Sequence, residues 1–191
     1  MGIAYCLIRA APEVVEQLRG RPKAVGEFIY QDPDAYQEPR QGFFGRWFNP
    51  RSESNSPIPE RRVGDETDLD KSWHILHYLL TGETGRADGP LGLIGDDLHP
   101  LADIDLGLGK PNVISCAAVK AFAQAAQAMS DDDLLARFKP DEMPTNDLYL
   151  GDVIARGDHD MREYALENFH VLRDFVTEAA SNEEIVITYY T

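Results

Sequence analysis

The stretch DLDKSWHILHYLLTG, residues 68–82, places a carboxylate and two imidazoles close together in the chain. Asp70, His74 and His77 are spaced so that a helix would bring their side chains to one side of successive turns. Carboxylate and imidazole groups in this arrangement are ligands for zinc or iron. Alternatively, Asp70 could orient His74 or His77 as the general base of a hydrolase.

The same three residues also allow a structural interpretation, and the sequence favours it. The metalloprotease pattern HExxH is absent, because two residues rather than three separate the histidines, and no G-x-S-x-G motif supplies a nucleophile. We therefore expect Asp70 to cap the helix and both histidines to donate hydrogen bonds at the edge of the core. No metal or cofactor is predicted, and enzymatic activity is left open without being favoured.

Apolar periodicity predicts that these residues lie on a helix over 68–81. Thr67 followed by Asp70 resembles a capping box at its start, and Gly82 occupies the position of a left-handed C-terminal cap. The apolar face consists of Leu69, Trp73, Leu76, Leu79 and Leu80.

Both ends of the chain are predicted to be strands of one sheet. GIAYCLIRA (2–10) is a short apolar run, and the β-branched and aromatic run IVITYY closes the chain after a long helix from Asp158 to about Ala180. Pairing of the two terminal strands would explain why both ends are apolar.

Two serines are predicted to begin helices in the second half of the chain. Ser115 precedes an apolar face at helical spacing, and Ser130 precedes the aspartates Asp131, Asp132 and Asp133. Consecutive residues on a helix point in different directions, so the three aspartates are not placed to bind one metal ion. We interpret them as residues that stabilise the start of the helix by interacting with its dipole.

Residues 32–66 are predicted to form a long irregular loop or insertion, because they contain five prolines and three glycines without a sustained period. Four aromatic residues of this loop are candidates for binding a partner: Phe43, Phe44, Trp47 and Phe48. We favour the alternative, a small cluster that fixes the loop to the domain, because an exposed apolar patch of this size promotes aggregation.

The net charge of -15 is concentrated in the last two thirds of the chain. Residues 1–62 carry 8 acidic and 9 basic side chains, whereas residues 63–191 carry 25 acidic and 9 basic ones, a net charge of -16. Such a surface repels phosphate backbones, so we predict no nucleic-acid binding. The acidity favours either simple solubility or association with a basic protein.

The sequence predicts a soluble cytoplasmic protein that does not enter the membrane. No apolar run approaches the roughly 18 residues of a membrane helix, and the start MGIAYCLIRA lacks the basic region and cleavage site of a signal peptide. Cys6 and Cys116 lack C-x-x-C spacing and are expected to be free thiols in a reducing compartment. The oligomeric state is not predicted.

The motif LDKSWHILHYLLTG, the MGI start, the later PLGLIG and the closing helix and strand together resemble the YfbM-like family, a bacterial domain of unknown function. The resemblance spans residues 1–191, with residues 32–66 as an enlarged loop. It implies one α/β domain with a mixed β-sheet flanked by helices. It implies no activity, so no catalytic residue is carried over.

Two classes of function follow from these observations. The favoured class is a non-enzymatic protein-interaction module, including an immunity-type protein that neutralises a basic partner. The alternative is a metal-dependent or His/Asp hydrolase that uses Asp70, His74 and His77.

Overall fold

The computed structural model describes residues 2–32, 57–92, 99–145, 147–157 and 160–191 of the chain. In chain order, the regular elements are β1 (Tyr5–Ala10), α1 (Pro12–Leu18), α2 (Pro22–Tyr30), β2 (Glu66–Asp68), a 3-10 turn (Asp70–Ser72), α3 (Trp73–Thr81), β3 (His99–Pro100), β4 (Asn112–Ile114), α4 (Cys116–Ala128), α5 (Asp131–Ala136), α6 (Gly151–Ala155), α7 (Asp160–Ser181) and β5 (Ile185–Tyr190).

The strands of the described residues form one five-stranded sheet in the order β2-β1-β5-β4-β3. The two longest strands, β1 and β5, lie side by side and pair over their full length, from Tyr5 opposite Tyr190 to Ala10 opposite Ile185. The predicted α/β class, with the N- and C-terminal strands in the same sheet, is confirmed. The assignment of residues 1–191 to a single domain stays a prediction.

All four described pairings are antiparallel, whereas the family resemblance implied a mixed sheet. The connection between β4 and β5 explains this direction. Ile114, the last residue of β4, lies opposite Val186 near the start of β5. The intervening helices therefore leave and re-enter the sheet at the same end, so the two strands must run in opposite directions.

Helices cover both faces of the sheet, because alternate residues of a strand point to opposite sides. Tyr5 and Leu7 of β1 face the layer formed by α3, α4 and α7. Cys6 and Ile8 face the opposite layer, which contains α1 and α2. Every residue of β1 is buried, and this explains why the strand is apolar on both faces, except at Arg9, rather than alternating.

The start of the helix predicted over 68–81 differs from the expectation. Thr67 lies in β2 and pairs with Leu7, so the predicted capping box does not form. The predicted cap at Asp70 is wrong as well, because neither the 3-10 turn nor the α-helix has a side-chain cap hydrogen bond. Asp68 instead accepts a hydrogen bond on Oδ1 from the backbone N–H of Asp70 at 2.9 Å, which closes a local turn. The α-helix proper consequently begins at Trp73, after the 3-10 turn and five residues later than predicted.

The end of that helix agrees with the prediction. Gly82 has a φ of +84°, and its N–H donates a hydrogen bond to the carbonyl of Tyr78. Glycine adopts this left-handed backbone without the steric cost that a Cβ would add. The predicted C-terminal cap is confirmed.

The predicted irregular loop over 32–66 is described only in part. Residues 57–65 contain neither helix nor strand, and the next residue already begins β2. Residues 33–56 lie outside the described residues, and so do the four aromatic candidates Phe43, Phe44, Trp47 and Phe48.

Candidate functional site

Asp70 stands at the start of the 3-10 turn with its side chain exposed. Its φ of +43° lies in the left-handed region, which aspartate tolerates better than most residues because its short side chain can bond locally. Tyr164 of α7 donates from its hydroxyl to Asp70 Oδ2 at 2.8 Å. The same hydroxyl accepts the backbone N–H of Lys71 at 3.0 Å. One phenol therefore fixes the turn to α7.

The protonation state of Tyr164 suits this role. Burial and the hydrogen bond to the Asp70 carboxylate raise the pKa of Tyr164 to about 12. The phenol is consequently protonated at neutral pH and can donate to the carboxylate. The side-chain hydrogen bond of Asp70 thus comes from a tyrosine and from neither of the histidines.

His74 lies on α3 between two loop segments. Its Nδ1 accepts the backbone N–H of Tyr149 at 3.0 Å, and its Nε2 lies 2.6 Å from the carbonyl oxygen of Thr84. Because a backbone N–H can only donate, Nδ1 must present its lone pair, and Nε2 carries the proton that is donated to Thr84. Both ring nitrogens of His74 are therefore occupied by backbone groups.

His77 lies one helical turn further along α3 and is 2% exposed. Its Nε2 lies 2.5 Å from the carbonyl oxygen of Gly85. His74 and His77 therefore both bind carbonyl groups of the segment that follows the cap at Gly82. This geometry fits the structural interpretation, in which the histidines donate at the edge of the core.

The structure gives the three candidates separate partners, namely Tyr164 for Asp70 and two loop carbonyls for His74 and His77. Within the described ranges, no group of three or more His, Cys, Asp or Glu side chains is arranged to hold a metal ion. The metal and hydrolase assignments stay hypotheses, and the contacts made by these side chains support a structural role.

An aromatic stack next to His74 was not foreseen from the sequence. The indole of Trp73 stacks on the His74 ring at 4.8 Å and on the Tyr149 ring at 5.9 Å. Trp73 donates from Nε1 to the carbonyl of Ile3 at 3.2 Å, and the Tyr149 hydroxyl accepts the N–H of Ile3 at 2.8 Å. No local spacing relates positions 3, 73 and 149, so only the packed fold reveals this contact.

The exposed face of α7 carries a row of carboxylates. We call it the acidic stripe, and its members are Asp160, Glu163, Glu167 and Asp174. At about 100° per residue they fall within an arc of about 60°, opposite the buried side of the helix. Within the described part of the chain, none of the four has an ion-pair partner.

None of the helices in that part has the length and apolar composition needed to cross a bilayer.

Most cations outside α7 are already neutralised by local acids. Four such surface pairs are Lys110–Asp103, Lys120–Glu183, Lys139–Glu142 and Arg156–Asp152. On α7 itself, Arg173 contacts Asp131 of α5, which also binds His170. The other arginine of α7, Arg162, is exposed but lies about 100° around the helix from the nearest stripe residue, Glu163. The negative charge of the acidic stripe is therefore not offset by these basic residues.

Comparison with known proteins places the chain in a family. The family model described as Domain of unknown function (DUF1877) matches residues 1–189. The chain belongs to this family. A crystal structure of a protein of unknown function, YfbM from Escherichia coli, has a similar fold, with a TM-score of 0.56, 15% sequence identity and 99% of each chain covered.

The expected resemblance to the YfbM-like family is thereby confirmed. No curated protein sequence matches the chain. At 15% identity, the likeness to YfbM shows the fold alone, and the family description assigns no activity.

Proposed function

We propose that this member of the DUF1877 family is a non-enzymatic protein-interaction module that binds a basic protein in the cytoplasm. The observation that carries the proposal is the acidic stripe of α7, whose four carboxylates share one exposed face and form no ion pair with any described residue. From Asp160 to Asp174 the stripe is about 21 Å long at 1.5 Å per residue. This length suits contact with a protein surface.

Charge complementarity would act first on the rate of association. A concentrated negative surface attracts a positively charged partner before contact and orients it during approach. Salt screens this attraction over distances beyond about 8–10 Å at physiological ionic strength. The net charge of -16 over residues 63–191 adds to the field of the stripe.

An immunity-type role is the form of this function that we favour. A nuclease toxin needs basic residues to hold phosphates, and an acidic protein that covers those residues would block substrate binding. The same chemistry makes direct nucleic-acid binding by this chain unfavourable. The partner that we propose is therefore a basic protein rather than DNA or RNA.

The hydrolase alternative has less support. Asp70 accepts a hydrogen bond from Tyr164, and both ring nitrogens of His74 contact backbone groups. A general base needs a lone pair directed toward substrate, and His74 presents its Nδ1 lone pair to Tyr149. These contacts favour the binding function over catalysis.

The experiment compares three forms of the full chain in capture from the native cell at low ionic strength. The stripe variant carries Asp160→Asn, Glu163→Gln, Glu167→Gln and Asp174→Asn. The control variant carries Asp103→Asn, Glu142→Gln, Asp152→Asn and Glu183→Gln, which remove the same amount of charge from exposed, already paired sites. Exposed pairs contribute little to stability, so both variants are expected to fold.

We expect the wild type and the control variant to capture the same basic protein, and the stripe variant to lose it. If the stripe variant still captured the basic protein, the contact surface would have to lie elsewhere on the molecule. A partner set without any basic protein would contradict the proposed function and leave the acidity as a solubility feature.

A further inference from the structure

Residues 57–68, which we call the arm, lie along the outer edge of the sheet and contribute little apolar burial. The arm pairs with β1 over three positions, and the Arg9 N–H also donates to the Asp65 carbonyl at 2.8 Å. Val63 is fully exposed, and Ile58 is only partly buried. The one buried residue of the arm is an aspartate, Asp65. The Arg61 side chain is 6% exposed and lies over the Phe28 ring, 5.8 Å from its centroid. Apolar side chains of the arm therefore do little to hold it in place.

Charged contacts provide most of its attachment. We call the following five residues the ion cluster: Arg9 of β1, Arg62 and Asp65 of the arm, Glu178 of α7 and Glu184 of the turn before β5. Arg9 is 8% exposed, Asp65 5% and Glu184 4%, so three of the five charges are buried.

Arg9 is the centre of the ion cluster. Its Nη1 lies 2.5 Å from Glu178 Oε2, and its Nε lies 3.5 Å from Asp65 Oδ1 and 3.8 Å from Glu184 Oε2. The guanidinium also lies over the ring of Phe175, 5.8 Å from its centroid. One buried cation thus joins the arm, α7 and the turn before β5.

Arg62 closes the ion cluster from the solvent side. Its Nη2 lies 2.5 Å from Glu184 Oε1, and its backbone N–H and Nε donate to Asp65 Oδ2 at 2.8 and 3.2 Å. Its side chain is 67% exposed. The arm therefore contributes one cation and one anion to the ion cluster. The cation, Arg62, contacts Glu184, and the anion, Asp65, contacts Arg9.

Charges in this setting favour two discrete arrangements. With the arm closed, the buried charges are stable only while each keeps its partners. With the arm open, the same groups reach water and are solvated. The end of the arm is fixed in both arrangements, because the next residue, Leu69, is fully buried in the core and its N–H donates to the Tyr5 carbonyl.

We propose that the ion cluster is a latch, which holds the arm on the sheet and whose loss lets the arm open as a unit while β1, β5 and the helices stay folded. Opening exposes the backbone groups of β1 that β2 otherwise pairs with, so the latch controls access to an edge of the central sheet. This inference is independent of the acidic stripe and of the proposed partner.

The test is hydrogen exchange at neutral pH on the full chain, followed peptide by peptide. In Arg9→Met, whose side chain has similar length and no charge, we expect amides of residues 65–68 to exchange at least about tenfold faster, while the amide of Leu69 stays protected. Peptides covering α4 and β5 should exchange at the wild-type rate. The matched control is Arg19→Met, which removes an exposed arginine paired only with Glu16.

Faster exchange in the arm alone supports the latch. Equal acceleration in α4 and β5 overturns it, because the ion cluster would then stabilise the whole fold without a separate opening of the arm. Unchanged exchange in the arm overturns it as well. If Arg9→Met does not fold, the test uses Arg62→Met, which removes the exposed arginine of the ion cluster and leaves Arg9 in place. We expect the same faster exchange in the arm alone.

Discussion

The backbone N–H of Tyr149 donates a hydrogen bond to Nδ1 of His74, 75 residues earlier in the chain, at 3.0 Å. His74 Nε2 also contacts the Thr84 carbonyl, so the imidazole connects α3 to the segment around Thr84 and to the segment around Tyr149. The ring is therefore part of the scaffold around α3, and its removal should affect stability first.

Removal of the histidines should lower stability without changing metal content. We expect His77→Ala to cost about 2–4 kcal/mol, because it deletes a buried ring and leaves the Gly85 carbonyl without its donor. The exposed His99 provides the control, and His99→Ala should change the free energy of unfolding by less than about 0.5 kcal/mol. Denaturant unfolding and elemental analysis check this. Stoichiometric zinc or iron that disappears in His74→Ala/His77→Ala would contradict it.

Acid should open the arm before it unfolds the domain. Burial alone would raise the pKa of Asp65, but hydrogen bonds from Arg62 and the charges of Arg62 and Arg9 lower it below the usual 3.8. The hydrogen bond from Arg9 lowers the pKa of Glu178 below 4.5. Both carboxylates bind protons more weakly when folded, so their stabilisation is complete at neutral pH. It is lost as the pH falls below about 4 through the lowered values.

This pH dependence can be measured by hydrogen exchange between about pH 5 and pH 3, corrected for the intrinsic exchange rate at each pH. Amides of the arm should lose protection at a higher pH than those of α4. Loss of protection in the arm and α4 at the same pH would show that acid acts on the whole fold at once.

Two glycines, Gly151 and Gly82, should respond differently to replacement by alanine. A Cβ at Gly151 would overlap the carbonyl oxygen of Thr145, which is backbone and cannot move aside easily. We expect Gly151→Ala to cost about 3 kcal/mol or more and to displace the neighbouring Tyr149. Gly82→Ala meets no atom within 4 Å and should cost only about 1 kcal/mol, the cost of its positive φ. Thermal unfolding of both variants checks the order, and equal losses would contradict it.

Association with the basic partner should slow as salt rises. Between about 50 and 500 mM salt the Debye length falls from about 14 to about 4 Å, so long-range attraction by the acidic stripe is lost over this range. We expect the association rate constant to fall by about tenfold or more, while the dissociation rate constant changes less. Surface plasmon resonance with the captured protein measures both. An association rate indifferent to salt would contradict steering by charge.

The sequence by itself determined the features that depend on neighbouring residues. Ser115 accepts the N–H of Ala118, and Ser130 forms a full capping box with Asp133, as expected for helix starts. Gly82 ends α3 as predicted. These contacts span three or four residues, so residue type and spacing are enough to specify them. The apolar ends of the chain likewise indicated two strands of one sheet.

The tertiary structure decided the contacts between distant residues. Thr67, a plausible cap by spacing, is instead drawn into β2 because it lies beside Leu7 in the folded sheet. Asp70 bonds to Tyr164 rather than to a histidine because α7 packs across the start of α3. Likewise, Asp65 is buried because Arg9 faces it from β1. In each case packing of the whole chain brings the partner near. Spacing along the sequence does not show which distant residues become neighbours in space.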